Sequence, residues 1–172
     1  MWKIIQQLCE DIRGNLTVYE AVVLMMTALG SLRCHDKSRV IPVGYSMLLI
    51  LYITLLRRTP EYNEEIRYHI SFLPDVKVWT GNLLNVILYI PLGGTIYNMA
   101  ASIKGTAFAA LLSSVLCEII QYFTHRGVAD INDVLFNLIG ACAGALLFRA
   151  FRAFKKKTFN KLAVKCEIKH EE

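Results

Sequence analysis

The chain has 172 residues, 55% of them hydrophobic against 19% charged, with a mean hydropathy of +0.40. That balance excludes disorder, a fibrous repeat and an ordinary water-soluble domain. The net charge of +5 lies wholly at one end, because residues 1–148 hold 11 basic and 11 acidic side chains, whereas the stretch from Arg149 onward holds 8 basic and 3 acidic ones. A neutral, oily body with a basic end is the pattern of a membrane protein with a cytoplasmic terminus, and it argues against a nucleic-acid partner.

In chain order, the first stretch, MWKIIQQLCEDIRGN, carries Glu10 and Asp11 where a signal peptide needs its apolar run, so it reads as retained. Residues 1–39 form an N-terminal segment in which 15–32 (NLTVYEAVVLMMTALGSL) is long enough to span but is interrupted by Glu20. A fifth span and an interfacial or buried helix both stay open for it. Clearer spans are expected at about 40–56, 83–99, 105–123 and 134–151, each near the roughly 20 helical residues that cross a hydrocarbon core. These make a membrane domain of residues 40–151, and 152–172 is a basic tail. The predicted fold class is therefore all-α, a polytopic transmembrane helix bundle of four or five spans with a basic amphipathic C-terminal tail.

Phe148, Phe151 and Phe154 recur every three residues into that tail, with Phe159 and Leu162 beyond and lysines between. The spacing gives an aromatic and a cationic face, suited to an anionic inner leaflet. Lys and Arg near the helix ends set the orientation. They place the C-terminus, the Lys104 turn and Arg33, Lys37 and Arg39 in the cytoplasm, and the loop from Arg57 to Asn82 outside. The five cysteines are scattered with no CxxC pair, which implies neither a disulfide framework nor a zinc site, and Cys117 and Cys142 read as small packing residues.

Polar groups inside apolar runs cost a few kcal/mol unless satisfied, so their placement is informative. Glu118 and Gln121 share a helix face. After the short loop holding His125 and Arg126, the residues Asp130, Asp133, Asn137, Gly140 and Gly144 follow in three- and four-residue steps and line one stripe. Gly140 and Gly144 form a small-xxx-small element for close helix approach, either within one subunit or between copies in a homo-oligomer. In NVILYIPLGG, Asn85 precedes Pro91, Gly93 and Gly94; a kink or break is expected there, because Pro91 removes a backbone donor. Arg57, Arg58, Asn85, Glu118, Gln121, Arg126, Asp130, Asp133 and Asn137 thus fall at one level, near the outer leaflet.

These residues carry a family resemblance. The Asn85 to Gly93 stretch, the Glu118 and Gln121 pair, and the series Arg126, Asp130, Asp133, Asn137, Gly140 and Gly144 together resemble the VanZ-like family of small bacterial membrane proteins. Arg57 or Arg58 after Thr54 is similar to that family's Thr and Arg at the end of an earlier span. The resemblance covers roughly residues 41 to 148. It departs at Asn132, where members often carry Asp, and in the loop 62–79, which offers only SFLP. It implies a multi-pass protein of the bacterial cell membrane, an accessory in teicoplanin-type glycopeptide resistance or envelope stress.

Three readings of the polar level stay open beside a purely structural network. A non-enzymatic protein would bind an amphiphile or lipid-linked headgroup, with arginines on phosphate and carboxylates and amides on hydroxyl, amine or sugar groups. Its partners would be membrane lipids and a lipidated glycopeptide or lipid-linked envelope precursor, and it would need no cofactor. An enzyme would act on a phospho-lipid with a divalent metal on Glu118, Asp130 and Asp133. A small transporter would use the intramembrane carboxylates for coupling. The enzyme reading is the weaker, since no lipid-phosphatase or phospho-alcohol-transferase motif is present and His125 is a lone loop histidine.

Overall fold

The computed structural model describes residues 18–31, 40–56, 66–67, 76–126 and 128–168. In order they form α1 (Val18–Ser31), α2 (Val40–Leu51) running into a π-helical turn (Tyr52–Leu56), β1 (Ile66–Arg67), α3 (Val76–Ala100), α4 (Ile103–Thr124), β2 (Ala129–Asp130) and α5 (Ile131–Ile168). The chain is thus an all-helical membrane protein. Segments of α3 (Trp79–Ala100), α4 (Ile103–Thr124) and α5 (Ile131–Thr158) are long and apolar enough to cross a bilayer, and Val40–Leu55 is a shorter apolar helix.

The pattern of burial is what a lipid solvent selects. On α4 the buried face carries Thr106, Ser114, Glu118 and Gln121, while Phe108, Leu112, Leu116 and Phe123 face outward. A water-soluble helix does the reverse. In hydrocarbon, polar side chains must find partners inside the bundle, and large apolar ones lose nothing by facing lipid.

Helix α3 is the centre of the bundle and packs on every other long helix. Its buried Leu88, Tyr89, Leu92 and Ile96 meet Ile50 of α2, Ala110 and Cys117 of α4, and Ala141 of α5 in one cluster. Helices α3 and α5 run parallel at very close range. A Cβ placed on Gly140 would fall 2.3 Å from the Val86 carbonyl oxygen, one on Gly144 would fall 2.0 Å from that of Ile90, and one on Gly93 would fall 2.0 Å from that of Ala141. Glycine at these three sites is what lets the backbones touch. The Gly140 and Gly144 seam is therefore filled within one subunit.

Three boundaries differ from the sequence expectation. Helix α3 begins at Val76, seven residues before the apolar run, because Thr80 and Asn82 are buried among its neighbours instead of ending the helix. It also passes through Pro91 without the expected break. Pro91 is itself buried, and Gly93 immediately beyond it lies against α5, so packing holds the chain helical where one backbone donor is missing. Helix α5 runs unbroken from the last span into the tail over 38 residues, about 57 Å at 1.5 Å per residue, which exceeds a bilayer core of about 30 Å. Phe148 is buried against Gly94, while Phe151 and Phe154 are exposed.

Helix α1 packs on α2 and α3, with Glu20 only 4% exposed. The α3–α4 turn is tight. Ala101 takes the left-handed conformation (φ 52°), and the Ser102 hydroxyl caps α4 by accepting from the Gly105 amide at 3.1 Å.

Candidate functional site

The alternation of α2, α3, α4 and α5 brings four helix ends together at one end of the bundle: the C-terminal ends of α2 and α4 and the N-terminal ends of α3 and α5. Every hydrogen bond described next lies there or within three turns of it.

At the end of α2, the last carbonyls of a helix have no partner in their own ladder. The π-helical turn leaves the Thr54 and Leu55 carbonyls pointing toward α4. Gln121 Nε2 donates to the Thr54 oxygen at 3.4 Å, and Arg126 Nη1 donates to the Leu55 oxygen at 3.0 Å. A guanidinium at a helix C-terminus also meets the negative end of the macrodipole. The Thr54 hydroxyl turns back to the Ile50 carbonyl at 2.7 Å.

Arg126 is aimed by the end of α4. His125 closes that helix in the left-handed conformation (φ 54°), and the Arg126 amide donates back to the Gln121 carbonyl at 3.2 Å. The chain then runs into β2, which pairs in parallel with β1 in the register Ile66 with Ala129 and Arg67 with Asp130. This two-residue ladder fastens the segment after α2 to the entry of α5.

Asp130 is the N-cap of α5. Its Oδ1 accepts from the Asn132 amide and from Asn132 Nδ2, both at 2.8 Å. Its own amide donates to Glu118 Oε2 at 2.9 Å, so a carboxylate that is only 8% exposed fixes the loop against α4. One turn into α5, Asp133 Oδ1 accepts from Asn85 Nδ2 at 2.6 Å, which joins α5 to α3. One turn further, Asn137 Nδ2 donates to Ser114 Oγ at 2.8 Å, which joins α5 to α4. The predicted stripe on α5 therefore lies over the groove between α3 and α4, with successive members turning to either side.

The residues divide by exposure. Glu118, Gln121 and Asn137 are buried, whereas Asn85, Arg126, Asp130 and Asp133 are half-buried at the end of the bundle. The second group comprises one cation, two carboxylates and an amide, each of them partly exposed. Among the described residues, no three His, Cys, Asp or Glu side chains converge in the way a metal ion requires. Arg57 and Arg58 lie outside the described residues. Pro91 and Gly93 belong to the packing of α3 on α5 and not to the polar end.

Several participants were not singled out from the sequence. The Thr54 and Leu55 carbonyls carry no sequence signal of their own. Ser114 does: counting back from Glu118 by one helical turn reaches it, and by three turns reaches Thr106, both fully buried. Tyr89, also fully buried, is hidden by its apolar surroundings in NVILYIP. Asn132, where the motif departs from Asp, is 4% exposed and completes the cap on Asp130 as a donor, a role that a carboxylate at this position cannot fill.

No curated protein and no solved structure matches the chain. The family model for VanZ/LLP1 does, over residues 16–152, a stretch that takes in α1 as well as the four later helices and stops inside α5. The match holds the whole polar end and both faces of the glycine seam, and on it the chain belongs to the VanZ/LLP1 family.

Proposed function

We propose that this protein is a non-enzymatic accessory of the bacterial envelope which binds the headgroup of an amphiphile at the polar end of its bundle, in the manner of a factor for teicoplanin-type glycopeptide resistance or envelope stress. The supporting observation is the division of the polar residues. Glu118, Gln121 and Asn137 are buried and hold helices together, whereas Arg126, Asp130, Asp133 and Asn85 are half-buried at the helix ends. A cation flanked by carboxylates and amides suits a headgroup that carries phosphate or carboxylate together with hydroxyl or amine groups. The lipid-facing surface of α4 beside this end, with Phe123, Ile119 and Leu116 exposed, suits the acyl chain of the same molecule.

The basic tail supports a C-terminus in the cytoplasm, which puts the polar end at the outer leaflet, where a lipidated glycopeptide or a lipid-linked wall precursor is met.

The test is equilibrium binding of a lipidated glycopeptide, and of the same glycopeptide without its acyl chain, to full-length protein in nanodiscs. Saturable binding of the lipidated form is expected, with weak binding of the delipidated one. A charge-assisted hydrogen bond is worth about 1.5–3 kcal/mol, so Arg126→Ala is expected to weaken binding on the order of tenfold or more. Equal binding of both forms, or no change in Arg126→Ala, would overturn the reading.

A further inference from the structure

Beyond the last glycine of its seam, α5 carries two faces of opposite character. At about 100° per residue, Arg149, Arg152 and Lys156 follow steps of three and four and fall within about 60° of one another. Leu147, Phe151 and Phe154 fall within another sector of about 60°, on the opposite side of the helix. All of these side chains are exposed, the three apolar ones at 61%, 45% and 69%.

The cationic stripe continues the face that packs inside the bundle. Ala141 and Ala145, both 0% exposed, precede Arg149 on it in steps of four. Phe148 is still covered, against Gly94, but every side chain from Arg149 to Thr158 is exposed. Helix α3, which runs parallel to α5, ends at Ala100, six residues past Gly94. The stripe therefore comes free where its covering helix ends.

From Val134 to Cys166 the sequence holds no Asp or Glu to offset these charges, and Lys155 and Lys157 flank the stripe on either side. Lys104, exposed in the first turn of α4, adds a further cation at this end of the bundle. Glu118, Asp130 and Asp133 lie at the other end.

Depth selects the occupant. About 20 residues cross a hydrocarbon core, so a span counted from Val134, the first residue past Asp133, leaves it near Ala153. Arg149 and Arg152 then sit in the last turn of the core, from which long basic side chains reach the headgroups. Lys156 sits about 4.5 Å beyond, inside the Debye length of about 8 Å.

We propose that Arg149, Arg152 and Lys156 form a site for an anionic phospholipid in the leaflet opposite the polar end, with the lipid phosphate held beside the end of α3. Arginine forks take phosphate oxygens in pairs, and Lys156 adds a point charge. Leu147 and Phe151 face acyl chains and Phe154 the interface, which seats the helix at this depth. Nucleic acid, the other polyanion that such a stripe suits, leaves that apolar face unused. The site shares no residue with the polar end, so the inference survives if headgroup binding there fails.

Native mass spectrometry of the full-length protein in a neutral detergent tests it, with phosphatidylglycerol or phosphatidylcholine of the same acyl chains added at matched concentrations. Each cation near an anionic headgroup is worth about fivefold in affinity, so the three together are expected to favour phosphatidylglycerol by roughly tenfold or more. Equal retention of the two lipids overturns the proposal. That comparison uses the unmodified protein and stands whatever the variants do, and in detergent it does not depend on which way the chain is inserted. In the triple variant Arg149→Gln, Arg152→Gln, Lys156→Gln the preference is expected to fall to about twofold or less, and in Lys155→Gln, Lys157→Gln most of it is expected to remain. An equal loss in the two variants overturns the stripe as the site. A short single-stranded oligonucleotide is expected to leave phosphatidylglycerol bound at matched phosphate concentration; displacement of the lipid overturns the choice of occupant.

Discussion

Replacing Gly144 by alanine adds a single carbon at one of the tight points between α3 and α5. That carbon would lie 2.0 Å from the Ile90 carbonyl oxygen, 2.9 Å from its carbon and 3.0 Å from the Gly94 amide nitrogen. Ordinary contact begins near 3.4 Å, and all three atoms are backbone, so no side chain can turn aside. The helices must part by about 1.5 Å, and overpacking of this kind costs about 1–3 kcal/mol. The same parting would stretch the 2.6 Å bond between Asn85 and Asp133 past hydrogen-bond range and so loosen the polar end. Gly94 is the matched control on the opposite helix. There an added carbon comes no nearer than 3.6 Å to the Gly144 oxygen and a ring atom of Phe148, an ordinary contact, so Gly94→Ala should gain up to about 1 kcal/mol of helix propensity. A gap of roughly 3 kcal/mol between the two variants corresponds to about 6–12 °C in Tm for a chain of this size. Thermal unfolding of the two purified proteins in the same detergent measures it. Equal melting temperatures would refute the backbone contact on which the geometry of the polar end rests.

Other perturbations separate charge from structure. Asp130→Asn keeps the α5 cap, because Asn ranks with Asp at that position, and should leave Tm nearly unchanged, whereas Asp130→Ala should cost about 1 kcal/mol; parallel melting curves compare them. Arg126→Ala releases the Leu55 carbonyl, so amide exchange in the π-helical turn should rise while the middle of α3 stays protected, as hydrogen-exchange mass spectrometry would show. A C-terminal reporter fusion should report the proposed cytoplasmic orientation, and replacing Lys155, Lys156 and Lys157 by Gln, which removes cations from an exposed stretch of α5, should turn it into a mixed one.

The sequence made the membrane character and the polar residues legible through two independent patterns. Hydropathy located the three helices long and apolar enough to span, together with the shorter apolar helix Val40–Leu55, and the three- and four-residue steps from Asp130 to Gly144 marked a face that does lie against other helices. That face could not be divided from spacing alone. Asp133 turns to α3 and Asn137 to α4 because α5 sits in the groove between them, and the parallel packing of α3 on α5 follows from glycines forty-seven residues apart in the chain, Gly93 and Gly140. Of the kink or break expected at Pro91, the break does not occur. Pro91 does remove a donor, but the close fit of Gly93 on Ala141 outweighs that local preference and keeps α3 unbroken. The carbonyls of Thr54 and Leu55 were invisible because backbone groups carry no residue code, and only the π-helical turn exposes them.

The headgroup recognition proposed for the polar end is tested directly by photo-crosslinking in native membranes, using an acylated glycopeptide with a diazirine beside its sugars and mapping adducts by mass spectrometry. The account predicts adducts concentrated at Asn85 and between Arg126 and Asp133, lost in Arg126→Ala and competed by unlabelled glycopeptide. Adducts spread evenly along the outward faces of α4 and α5, with none at the polar end, would contradict it.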